Sequence, residues 1–258
     1  MDLKLQGRTV LVTGGSKGIG FAVAEGFAAE GCNLHLVART AETLEAARKK
    51  IQDAHGVEVA VHPVDLSRSD AVGKLVQTCP TPDILVNNAG AIPGGDLEAI
   101  TEPRWREAWD LKVFGYVNMT REYYGRMRER GQGVIVNVIG AAGERPDAGY
   151  VAGSAANASL MAFTRAMGSR SMEDGIRVVA VNPGLIETDR AVTLMQTRAE
   201  KKFGDASRWK EFYDSLPVGR PGKPHEVADL VVYLASPRAS WVSGTVITID
   251  AGASGRTG

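Results

Sequence analysis

Short, continuously apolar runs alternate along this chain with longer stretches of helical period. Residues 9–13, Thr-Val-Leu-Val-Thr, read as a buried strand, followed by a glycine-rich turn and a helix from about Ile19 to Glu30. A second strand is expected over Asn33–Ala38, a helix over Thr43–Ala54 and a third strand over Val57–Val64. Further strands are read at Ile84–Asn87, Gly133–Val138, Ile176–Val181 and Val246–Ile249, with long helices between the later ones. Runs that are apolar at every position belong to strands buried on both faces, and helical crossovers between them make neighbours parallel. Right-handed crossovers then predict a doubly wound α/β fold, a parallel seven-stranded sheet with helices on both faces. No linker, repeat or low-complexity tract breaks the pattern, so residues 1–258 are expected to form a single domain. The least regular stretch, about 187–215, is polar and charged; it reads either as a substrate lid or as a surface helical insertion.

The first turn carries the clearest chemistry. Gly14, Gly18 and Gly20, with Ser16, Lys17 and Ile19 between them, follow the first strand and open a helix. In that context one glycine permits the tight turn, one lets the backbone approach a pyrophosphate, and one lets helix pack on strand. The helix N-terminus adds amide donors and the positive end of its dipole. This is a dinucleotide-binding turn of Rossmann type. An NAD site usually ends the second strand with an acid that takes the ribose hydroxyls. Here Ala38 stands at that place and Arg39 follows, while Lys17 lies in the glycine turn. Guanidinium binds a 2′-phosphate where a carboxylate would repel it, so the expected cofactor is NADP(H).

Composition narrows the rest. Thirty Lys+Arg balance thirty Asp+Glu, so no basic field draws the chain to nucleic acid or a membrane surface. No apolar run approaches the length of a membrane span, the N-terminal residues lack an apolar signal core, and a cytoplasmic location is expected. Cys32 and Cys79 form no CxxC pair, and His35, His55, His62 and His225 show no ligand spacing, so no metal site is read from the sequence.

Beyond the glycine turn the chain resembles the short-chain dehydrogenase/reductase family over nearly its whole length. Asp65-Leu66 is similar to the pair beside the adenine ring, and Asn87-Asn88-Ala89-Gly90 to the motif after the fourth strand that borders the adenosine ribose. Asn182 to Thr188 resembles the P-G-x-x-x-T segment beside the nicotinamide, with Pro183, Gly184 and Thr188 at its key positions. The resemblance implies an NADP(H)-dependent oxidoreductase of carbonyl or alcohol substrates that assembles as a homo-oligomer, a dimer or tetramer.

The family's proton chemistry uses a serine after the fifth strand, a Tyr-x-x-x-Lys pair thirteen residues on, and an asparagine from the preceding helix. Matching Asn137 to Gly143 with N-x-S-S-x-x-G puts Gly140 at the serine, and thirteen residues later stands Gly153. The run Gly153 to Arg165 matches Y-x-A-S-K-A-A-L-x-x-F-T-R, which puts Asn157 at the lysine. Lys112, ahead of Gly115 and Thr120, stands where the asparagine is expected. In this register all four positions have changed. Two glycines there predict extra room beside the nicotinamide. Tyr150, one turn before Gly153, and Lys112 are the candidate substitutes, expected to rebuild a phenol–ammonium pair; Ser154 is a weaker one. Three functions follow: an oxidoreductase with a non-standard active site, a catalytically degenerate regulatory or structural NADP(H)-binding subunit, and a lyase or isomerase on the same scaffold.

Overall fold

The computed structural model describes residues 1–256. Strands β1 (Thr9–Thr13), β2 (Asn33–Ala38), β3 (Val59–Pro63), β4 (Ile84–Asn87), β5 (Gly133–Val138), β6 (Ile176–Pro183) and β7 (Val246–Ile249) pair in parallel in the order β3-β2-β1-β4-β5-β6-β7. Alternation along β1 sorts the helices. Val10 and Val12 face one side, where they meet Val23 and Phe27 of helix α1 (Gly18–Ala29), Leu44 and Ile51 of α2 (Ala41–His55), and Val227 and Val231 of α8 (Pro224–Ala235). Leu11 faces the other, against Leu75 of α3 (Ala71–Thr78) and Met119 and Tyr123 of α5 (Gly115–Arg130). Helix α6 (Val151–Gly168) completes that layer through Ala152, Ala156 and Leu160. The expected doubly wound architecture is the observed one.

Strand order reverses between β1 and β4, and a ligand crevice opens beyond the carboxyl ends of strands at such a switch point. The turns after β1, β4, β5 and β6 all lie at that end. Buried polar side chains hold the strand ends in place. Asn87 Nδ2 donates to Asn137 Oδ1 (2.9 Å) and Thr120 Oγ1 (3.1 Å), and Asn137 Nδ2 donates to Thr164 Oγ1 (2.9 Å), which ties β4 and β5 to α5 and α6. Buried Arg177 of β6 donates to the carbonyls of Leu234 (2.6 Å), Ala235 (3.1 Å) and Ser236 (3.0 Å), the acceptors that the end of α8 leaves without helical partners.

One strand starts later than expected. β3 starts at Val59 because Gly56, left-handed at φ 68°, ends α2, and the next two residues bring the chain to the sheet edge. The stretch 187–215 is helical: α7 (Asp189–Phe203) and a 3₁₀ segment (Ala206–Ser215) fold on each other, with the rings of Phe203 and Phe212 5.5 Å apart. Between α4 (Glu102–Trp109) and α5, residues Asp110–Phe114 form one π-helical turn, and Lys112 lies in it. No described helix is long and apolar enough to cross a membrane.

Candidate active site

The glycine turn is closed by its neighbours. The Thr13 hydroxyl accepts from the amides of Asn88 (2.9 Å) and Ala89 (3.0 Å), and Asn88 Nδ2 donates to the Thr13 carbonyl (3.0 Å). At Gly20 a Cβ would lie 2.1 Å from the Gly14 carbonyl oxygen, so the first turn of α1 packs on the turn only without a side chain. Ser16, Lys17 and Ile19 line the entrance to α1, with Lys17 exposed at its N-cap. Thr188 caps α7, accepting from the Ala191 amide (3.2 Å), and its methyl lies 3.4 Å from where a Gly18 Cβ would be. The glycine turn and the Pro183-Gly184…Thr188 segment therefore face each other across the crevice. On the far side of β1, Arg39, Asp65 and Ser67 line a cleft of about 210 Å³ with Ala91, Pro93 and Arg104. The Asp65 carboxylate is engaged by the Ser67 hydroxyl (2.7 Å) and amide (3.1 Å), and Glu107 lines the same cleft beside Arg104. Leu66 is buried beneath, and Ala89 and Gly90 border the crevice from β4. A bare cradle against a helix N-terminus, with Ala38 in place of an acid at the end of β2 and Arg39 after it, fits a phosphorylated dinucleotide.

The expected extra room at Gly140 and Gly153 is not there. A Cβ at Gly153 would sit 2.0 Å from Tyr150 Cε1 and 2.1 Å from Cζ, so the Tyr150 ring occupies the volume where a side chain at 153 would begin. Gly140, at φ 142°, has the Asn157 amide nitrogen 2.8 Å from its own Cβ position. Tyr150, the N-cap of α6, fills the gap at Gly153 and Asn157 of α6 the one at Gly140, as dense interiors require.

Tyr150 is the N-cap of α6 and hangs from two loops. The Gly95 amide donates to the Gly149 carbonyl (2.8 Å) and the Val151 amide to the Gly95 carbonyl (3.3 Å). Burial pushes its phenol up, against the opposing charges of the Arg190 and Arg198 guanidiniums. Arg190 is itself held by the carbonyls of Gly90 (2.6 Å) and Ile92 (2.5 Å), and Arg198 pairs with Asp147 (2.8 Å). Both cations come from α7, in the stretch whose sequence is least regular, and sequence reasoning missed them.

Lys112 does not join Tyr150. Its stem passes beneath Gly90, where a Cβ would lie 2.5 Å from Lys112 Cδ, and only a glycine leaves that path open. Its Nζ donates to the carbonyls of Ile139 (2.9 Å) and Val138 (3.1 Å) and meets the Tyr116 hydroxyl at 3.3 Å. Burial, and then the charge on Arg190, pull the ammonium down to about 7. The expected phenol–ammonium pair does not form, because the strand-end carbonyls take the ammonium first; the charges that act on Tyr150 are those of Arg190 and Arg198. Ser154 is turned away as well: its hydroxyl accepts from the Asp147 amide (3.0 Å) and organises the loop before α6.

The model described as short chain dehydrogenase matches residues 8–199. The 3-oxoacyl-[acyl-carrier-protein] reductase of Chlamydia trachomatis is 31% identical over 252 residues, covering 96% of this chain and 98% of that protein. Acetoacetyl-CoA reductase of Shinella zoogloeoides is 32% identical over 249 residues, 95% and 98% of the two. The structure of L-sorbose reductase from Gluconobacter frateurii, complexed with NADPH and L-sorbose, matches with a TM-score of 0.90 at 30% identity over 100% of both chains.

Proposed function

This chain belongs to the short chain dehydrogenase family, and on that premise we propose that it is an NADP(H)-dependent reductase of a carbonyl substrate whose proton donor is Tyr150. Ser16, Lys17, Ile19 and the glycines of the first turn hold the pyrophosphate, and Lys17 and Arg39 hold the 2′-phosphate. Asp65, Leu66, Asn87, Ala89 and Gly90 border the adenosine half. Asn157, Pro183, Gly184 and Thr188 border the nicotinamide half. Bound NADPH supplies a hydride to the carbonyl carbon. The alkoxide oxygen takes the Tyr150 proton, Arg190 stabilises the phenolate left behind, and solvent returns the proton. Burial keeps the proton on the phenol but also makes it a weaker acid, so proton transfer from Tyr150 is the step expected to limit turnover.

The single observation that carries this reading is the Tyr150 ring standing in the side-chain volume of Gly153. Residues 187–215 as a substrate lid, and self-association as a dimer or tetramer, belong to the same reading. The test is NADPH oxidation with a ketone panel that includes a 3-oxoacyl thioester and a ketose. Tyr150→Phe is expected to lower kcat by about 10²–10⁴-fold with NADPH binding unchanged. Equal kcat in both proteins removes Tyr150 from the chemistry.

A second reading has its own observation. Gly140, Gly153 and Asn157 carry no titratable group, and Lys112 is spent on carbonyls. A non-catalytic NADP(H)-binding subunit is the protein those facts describe if Tyr150 is idle. NADPH binding without turnover of any carbonyl selects it.

A further inference from the structure

On the face of the sheet opposite α1, and away from the glycine turn, two imidazoles and a thiol converge. His35 points from the middle of β2 and His62 from β3. The register pairs His35 with Ala60, two residues before His62, so both side chains leave the same face. His35 Nδ1 and His62 Nε2 are 2.9 Å apart, with the rings stacked at 5.2 Å. Cys79 closes the C-terminal end of α3 above them. One ring nitrogen from each histidine and the Cys79 sulfur all lie within 4.8 Å of one another.

We propose that His35, His62 and Cys79 form a binding site for a borderline-soft divalent cation of the zinc class, bridging β2, β3 and the end of α3. The donor set is two imidazoles and a thiolate, the mixture such ions prefer over the oxygen cages of calcium or magnesium. Around a tetrahedral ion with bonds of about 2.0 Å to nitrogen and 2.3 Å to sulfur, ligand atoms stand roughly 3.3–3.6 Å apart. The nitrogens open slightly and the sulfur closes by about an ångström, within reach of side-chain rotation. Both rings are half-buried, which leaves the ion an entry path from solvent. Burial disfavours the imidazolium of each, so their lone pairs are available at neutral pH. Cys79 enters as a thiol and leaves one proton to solvent when it ligates.

A second observation points to the same ion. The Tyr123 hydroxyl, on α5, is fully buried beside Cys79 and makes no aligned hydrogen bond. A buried donor without an acceptor costs free energy. A metal-bound thiolate at Cys79 is the acceptor it lacks, and donors to ligating sulfur are how proteins tune such sites. The site lies outside the crevice and outside the groups assigned to the reaction, so it is a structural clamp on the adenosine-side edge of the sheet. Its three ligand side chains come from three separate elements, so an ion there opposes the detachment of β3 from α3.

The test uses the intact protein, stripped with chelator and titrated with Zn²⁺ and, for its spectrum, Co²⁺. One equivalent per chain is expected, with a thiolate-to-cobalt charge-transfer band and a rise in Tm of a few degrees in Zn²⁺. Cys79→Ser abolishes the band and the Tm rise while its metal-free fold, read by circular dichroism, and its NADPH binding stay unchanged. His62→Gln lowers affinity at least 10-fold, and Tyr123→Phe lowers it about 10-fold. The double variant His55→Ala/His225→Ala retains full binding. Absence of stoichiometric binding to the wild type overturns the proposal, and so does binding that survives Cys79→Ser or is lost in the His55/His225 variant.

Discussion

Replacing Lys112 by methionine tests how the buried ammonium is held. The side chain is 8% exposed, its stem is roofed by Gly90, and its Nζ meets the carbonyls of Val138 and Ile139. In the unfolded chain the lysine keeps its proton up to an ordinary value of 10.5, whereas in the folded protein it releases it near 7. Between those values the unfolded state binds more protons, so this group makes stability rise with pH; below about 7 both states are protonated and its full cost is present. Each pH unit of the gap is worth about 1.36 kcal/mol, which gives a cost of about 5 kcal/mol at pH 6 relative to the neutral amine. Methionine fits the same channel and does not titrate. It leaves the Val138 carbonyl with the Tyr116 hydroxyl at 2.7 Å, and the loss of the donor to Ile139 is independent of pH. The expected result is a stability difference between variant and wild type that shrinks by about 3 kcal/mol between pH 6 and pH 9.5. Urea unfolding at several pH values, followed by circular dichroism, reads it directly. A difference constant within about 0.5 kcal/mol over that range would refute the reasoning, because it would mean that the ammonium reaches water.

Two further outcomes follow from the site. Arg39→Asp removes a guanidinium and adds a charge that repels phosphate; a charged hydrogen bond is worth about 1.5–3 kcal/mol, so KM for NADPH is expected to rise about 10–100-fold with little change for NADH. An unchanged NADPH-to-NADH ratio rules Arg39 out as the phosphate ligand. Gly153→Ala drives a methyl into the Tyr150 ring, and is expected to destabilise by about 1–3 kcal/mol and to displace the phenol. In a Tyr150→Ala background the same change adds helix propensity instead, about 1 kcal/mol of stabilisation, and a thermal-melt double-mutant cycle showing no reversal of sign contradicts the packing described.

The sheet was legible because its strands are dominated by apolar positions and its crossovers are long. β1, β2, β4, β5 and β7 need nothing beyond that pattern to be bounded. The cofactor cradle was legible because its requirement is local: a glycine turn between a strand and a helix. The catalytic face was legible only in part. The register drew attention to the bare backbone at Gly140 and Gly153, but which side chain enters a gap depends on packing between elements. Tyr150 and Asn157 fill those gaps, while Lys112 finds carbonyls at the end of β5 that no helical periodicity reveals. Arg190 and Arg198 sit in a polar helix whose pattern carried no sign of the crevice. His35, His62 and Cys79 are separated by 27 and 17 positions, and only strand register and the end of α3 bring them together.

Tyr150 takes its position from the seam between the 92–96 and 147–151 loops, not from the rigid body of α6. A side chain in mid-helix keeps its place when the rim of a cleft is remodelled. One suspended at a junction of two rims moves with either. In this protein, therefore, altering the rim to admit a different substrate also re-aims the phenol, and selectivity and turnover cannot be tuned independently.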